Sequence, residues 1–159
     1  MKRPLLVFED IGPESRRELF RFAGVSFMAT RWAALSPFMW IALGVVTALA
    51  ESRGAFKTSV AVQGVIYGVL LICCNVIHTL GHIVAGHLVG APMDANLMTA
   101  TRDVNIYITH GDGTPRSARI GRSLGGPLAN LLAGLASLLL WLWTEEPLVP
   151  YVRDFQCRD

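Results

Sequence analysis

The sequence predicts an α-helical multi-pass membrane protein with three transmembrane helices, at about 32–50, 60–89 and 120–143, and a short β-hairpin between the second and third. Three observations lead there. Three apolar runs reach the roughly 20 residues that cross a hydrocarbon core. Hydrophobic residues make up 52% of the chain and charged residues 16%, with a mean hydropathy of +0.44, which is not the balance of a soluble domain. Between the second and third runs the pattern changes to β-branched residues in period-two alternation.

Residues 1–31 read as a basic, cytoplasmic arm. Within it Pro13–Phe27 is expected to be helical, with Arg16, Arg17 and Arg21 beside Leu19, Phe20, Ala23 and Phe27. A basic face next to an apolar one suits an interfacial helix on an anionic membrane, and equally a solvated arm. The first span follows as WAALSPFMWIALGVVTALA, with Trp32 and Trp40 as interface anchors. Its Ala48-Leu49-Ala50 end imitates a signal-peptidase site, but some 31 residues precede the run, too many for a signal peptide's basic region. A retained span is expected.

The second run would reach about 45 Å as one helix, longer than a 30 Å hydrocarbon core, so it must tilt, break or emerge. Gly90-Ala91-Pro92 supplies its stop. Cys73 and Cys74 lie within it and read as small hydrophobes; without a CxxC pair a thiolate zinc site has no support. In 93–118, DVNIYITH alternates and His110-Gly111-Asp112-Gly113 is a turn signal, so a short hairpin fits. The third run, IGRSLGGPLANLLAGLASLLLWLW, tolerates Pro127 because neighbouring membrane helices satisfy the freed carbonyl. Residues 144–159 are expected as a polar tail, too short for a further span.

Ten of the fourteen Lys and Arg residues flank the start of the first span or lie between the second and third. Arg53, Lys57, Arg153 and Arg158 fall on the other side. That asymmetry puts the N-terminus and the hairpin in the cytoplasm and the C-terminus outside. The net charge of +2, spread as flanks to apolar runs, excludes a nucleic-acid partner; membrane lipid is the expected one.

The second run contains His78-Thr79-Leu80-Gly81-His82. Residues four apart project from one helix face, so His78 and His82 suit two ligands of one tetrahedral metal, as in HExxH. The glutamate of that motif is the general base for zinc-bound water. Here its position holds Thr79, whose neutral hydroxyl has far too high a pKa to serve. His87 is turned by about 140° from His82 and does not complete the face. The structural alternative is a histidine pair that hydrogen-bonds neighbouring helices, with Asn75 and Thr79 as further glue or as supports to a metal ligand.

HTLGHIVAGHLVGAP resembles the motif of the site-2 proteases, which are intramembrane zinc metalloproteases: Gly81, Ala85 and Gly90 match its small residues. RIGRSLGGPLANLLAG resembles that family's third core helix, whose GxxxN reads here as Gly126-Pro127-Leu128-Ala129-Asn130. The likeness covers roughly residues 60–140 and extends to a β-rich segment between the two helices. It implies zinc on His78 and His82 and Thr79 in the place of the catalytic glutamate; apart from that likeness, Asn130 suits a hydrogen bond within the helix bundle, Gly125 and Gly126 close approach between helices, and Pro127 a structural place beside them. The likeness also implies a third ligand, from an aspartate in an NxxPxxxxDG-like motif, and none follows Asn130. Asp94, Asp103, Asp112 and Asp154 remain, and nothing in the sequence steers them to the site.

The expected function is therefore a catalytically inactive site-2 protease-like protein, acting as a binding or accessory subunit beside other membrane subunits or a partner's transmembrane helix. One alternative is a working zinc protease with a borrowed base or ligand. Another is a subunit that ligates haem or a chlorophyll-type ring through His78, His82 or His87.

Overall fold

A computed structural model describes residues 16–54, 57–111 and 113–144. Strand β1 (Arg16–Phe22) turns into β2 (Val25–Thr30), and a short 3₁₀ turn at Ala33–Leu35 leads into α1 (Ser36–Glu51). Helix α2 (Thr58–Leu88), strands β3 (Ala95–Met98) and β4 (Asp103–Ile106), and helix α3 (Arg116–Thr144) follow. Three helical segments are long and apolar enough to span a membrane: Ala33–Glu51, Thr58–Leu88 and Arg116–Trp143. They correspond to the three expected spans and extend the third by four residues at its start.

Two expectations are corrected. Residues 16–27 are not helical; the part of the predicted helix before residue 16 lies outside the described residues. Ala23 and Gly24 both take positive φ, 49° and 79°, which makes a tight hairpin turn between β1 and β2. The basic and apolar spacing that suits a helix here is overridden by strand pairing. The second correction concerns the hairpin after α2, which is half of a four-stranded sheet in the order β1-β2-β3-β4. β2 pairs parallel to β3, with Ser26 opposite Ala95, while the other two pairings are antiparallel. The reversal between β3 and β4 occurs at 99–102, where Thr99 N–H and Oγ1 both donate to the Arg102 carbonyl, at 3.0 and 2.7 Å. His110–Gly113 is not that turn. The His110 carbonyl accepts Thr114 Oγ1 and Arg122 Nη1, each at 2.7 Å, and the segment becomes the loop into α3.

The chain divides into two compact units: Met1–Met39 with Ile83–Ser123, and Trp40–His82 with Leu124–Asp159. The first holds the sheet, the start of α1, the last turns of α2 and the first turns of α3. Its core is Val25, Ile83 and Met93, with Phe27 and Tyr107 against them. Asn96, 1% exposed, donates to Asn105 Oδ1 at 3.0 Å, so the polar pair is satisfied inside the sheet. Helix α2 ends here in a left-handed Gly90 (φ 67°), with Ala91 N–H on the Gly86 carbonyl at 2.9 Å, the C-cap arrangement that glycine favours.

The second unit is helical and closes on glycine. A Cβ on Gly68 would meet the Ile41 backbone, and one on Gly64 the Val45 backbone, so α1 and α2 run antiparallel at near backbone contact. Small residues allow this approach in a membrane, where packing replaces the hydrophobic effect. Gly81 on α2 faces Gly125 and Ala129 on α3 in the same way. At the end of α1, Tyr67 Oη donates to Glu51 Oε2 at 3.0 Å and Gln63 Nε2 donates to the same oxygen at 3.1 Å. Large apolar side chains such as Phe38, Leu70, Val84, Leu132 and Leu139 point outward, as lipid-facing residues do; Cys73 and Cys74 are also exposed.

Candidate functional site

Helix α2 carries His78 and His82 one turn apart, and α3 carries Gly126 and Asn130 with the same spacing. Gly81 brings the backbones close enough for the two pairs to meet. The imidazoles stand edge to face, with ring centroids 4.8 Å apart. Their Nε2 atoms are 3.1 Å apart and share one hydrogen bond, so one nitrogen carries the proton and the other accepts it. A Cβ on Gly126 would meet both Nε2 atoms, so glycine leaves the space in which they converge. On its other side, His78 Nδ1 lies 3.4 Å from Asn130 Nδ2. Asn130 Oδ1 is buried with no hydrogen-bond partner among the described residues.

Of the residues singled out in the sequence, His78, Gly81, His82, Gly126 and Asn130 come together here or at the adjoining seam. Thr79 is buried, 8% exposed, at the position between the two histidines. Pro127 lies inside α3, and the helix continues through it. His87 serves elsewhere: its Nε2 donates to the Ala23 carbonyl at 3.0 Å and ties the β1–β2 turn to the last turn of α2.

Fitness for zinc follows from the donors. Two imidazoles on one tetrahedral zinc, each at about 2.0–2.1 Å, place their nitrogens about 3.3 Å apart. The observed 3.1 Å is near that value, so His78 and His82 fit two of the four positions. No group of three or more His, Cys, Asp or Glu residues capable of holding a metal occurs among the described residues. A protein zinc site needs at least three such ligands, so these residues do not complete one.

Of the acids weighed from the sequence, Asp112 and Asp154 lie outside the described residues. Asp94 is committed within the sheet unit. Its carboxylate accepts Ile108 N–H at 2.6 Å, Thr109 N–H at 3.0 Å and Thr109 Oγ1 at 2.6 Å. Partial burial pushes this carboxyl up. The Thr109 hydroxyl, the two amides and nearby His110 outweigh that and hold its pKa below the usual carboxylate value. Asp103 is paired into β4 opposite Met98.

The chain was compared with protein-family models, with curated proteins and with solved structures. It matches none of them.

Two features went unread in the sequence. Arg122 is 8% exposed, with its guanidinium 3.7 Å from the centre of the Tyr107 ring, and no local signal marks that partnership. The α1–α2 glycine seam did carry a signal: Gly64 and Gly68 are a GxxxG pair within an apolar run.

Proposed function

We propose that this chain is a site-2 protease-like membrane protein that has lost proteolysis and acts as a binding or accessory subunit of a membrane complex. Its α1 start and its sheet unit would lie on the cytoplasmic side, as the distribution of Arg and Lys favours. The observation that carries the reading is the meeting of His78, His82, Gly126 and Asn130 on the two helices where the family likeness lies, with Thr79 next to His78 in the chain. Two imidazoles stand at the spacing of zinc ligands, and the Asn130 amide nitrogen lies against His78 Nδ1. The general base is replaced by a hydroxyl, and no third ligand stands among the described residues.

The 3.1 Å approach of the two Nε2 atoms favours one second reading, a metalloprotease completed by a ligand and a base from a partner chain. A haem or chlorophyll-type ring has less support. The Nε2 atoms of His78 and His82 meet over helix backbone, and that of His87 is bonded to Ala23.

Gentle purification from native membranes, reporting bound metal, visible absorption and companion subunits together, tests these readings. A stoichiometric membrane-protein companion, with substoichiometric zinc and no colour, is expected. One equivalent of zinc that disappears in His78→Ala would favour the protease, and a visible chromophore would favour the ring-binding subunit.

A further inference from the structure

β1 is an edge strand of the described sheet, and six of its seven residues are exposed, so it adds little to the core. Yet it carries Leu19, Phe20 and Phe22, which are 56%, 53% and 54% exposed. Phe20 stacks on Phe27 with centroids 4.7 Å apart, which holds its ring in place without covering it. Arg21 stands between Phe20 and Phe22, and Arg16 and Arg17 precede Leu19. With Glu18, which pairs with Arg21 at 3.0 Å, the strand has a net charge of +2. The pairing register skips Leu19 between Glu18 and Phe20. That bulge puts Phe20 and Phe22 on one face with Arg17, while Arg16, Glu18 and Arg21 take the other.

The hairpin is tied to the start of the first span and to the last turn of α2. β2 ends at Thr30, three residues before the first span begins at Ala33, a reach of about 10 Å at most. Between them the Arg31 guanidinium stacks over Trp32, a residue suited to the headgroup zone. At the other end the turn carbonyl of Ala23 is held by His87, in the last turn of α2. α1 and α2 are antiparallel, so the start of one and the end of the other share a membrane face. The hairpin is anchored to both.

We propose that the β1–β2 hairpin is a membrane-surface anchor that binds anionic lipid. Phe20, Phe22 and the bulged Leu19 enter the boundary between headgroups and acyl chains, Arg17 beside the rings pairs with lipid phosphates, and Arg16 and Arg21 on the other face add attraction to the anionic surface. Apolar rings interleaved with arginines match such a boundary, and each arginine near an anionic surface favours binding about five-fold. Neither His78 nor His82 is involved, so this anchor stands or falls apart from the protease likeness.

The test is hydrogen–deuterium exchange on the full chain in nanodiscs of phosphatidylcholine alone or with about 30% phosphatidylglycerol. Exchange across Arg16–Phe22 is expected to slow about five-fold or more in the anionic discs. The difference should vanish in R16Q/R17Q/R21Q and, for the unmodified protein, on raising salt to about 0.5 M. The salt arm decides if the triple variant fails to fold. Equal exchange in both discs would overturn the proposal, as would slowing that survives high salt. Protection seen only with a co-purified protein, whatever the lipid, would also overturn it and assign the strand to a protein partner.

Discussion

Between α1 and α2, Gly44 meets Gly64 and Gly68; between α2 and α3, Gly81 meets Gly125 and Ala129. Both seams bring helix backbones together by removing side chains. The first contains backbone and the aliphatic residues Ile41 and Val45. The second opens, one turn from Gly81, onto two imidazoles and an amide, and Gly126 gives up its side chain to ring nitrogens. Close approach alone is therefore a packing device. The second seam differs in the polar groups it encloses, two imidazoles and an amide, which suit a site as well as hydrogen bonding between membrane helices.

The largest expected effect lies in the dry seam. Gly68→Leu would drive a side chain into the Ile41 backbone, costing at least the roughly 1–3 kcal/mol of an overpacked core. Folded, monodisperse protein recovered in detergent should fall sharply. Gly134→Leu is the control: nothing lies within 4 Å of its Cβ position, so stability should change by no more than about 0.5 kcal/mol. Equal loss in both variants would break the comparison.

Next comes the polar seam. Gly126→Ala should cost about 1–3 kcal/mol in thermal or denaturant unfolding, because the imidazole edges must move to admit the methyl. Asn130→Leu should cost less, below about 1 kcal/mol, since it removes one long hydrogen bond along with a buried oxygen that has no partner among the described residues. Should Asn130→Leu prove the costlier change, the amide would be the organising element of the seam in place of the glycine.

The smallest effect belongs to the sheet unit, where polar groups do cement structure. The Asp94 carboxyl titrates below its unfolded value in the fold. Its contribution is thus complete above the unfolded value of about 3.9 and fades as pH falls through the lower folded one. Unfolding measured across the acid range should lose that part of its pH dependence in Asp94→Asn.

The three helices were legible because span length and apolarity are local properties of 20 or more residues. That His78 and His82 share a helix face was legible from their spacing, but that Asn130 meets His78 was not, because it depends on how α2 and α3 pack. The sheet was not. Arg16–Phe27 satisfies a helical pattern as readily as a hairpin, and the contact that decides is Ser26 with Ala95, two helices apart in sequence. The anchoring of His87 on Ala23 depends on that same long-range pairing, so spacing within α2 did not reveal it.

The proposed loss of proteolysis leaves the second seam with the form of a zinc-protease site and without its reaction. It is tested most directly by reconstituting the full chain with a single-span membrane substrate and following cleavage, with zinc content measured on the same sample. No cleavage and zinc well below one equivalent are expected, both unchanged by His78→Ala. Cleavage that chelation and His78→Ala each abolish, alongside one equivalent of bound zinc, would contradict it.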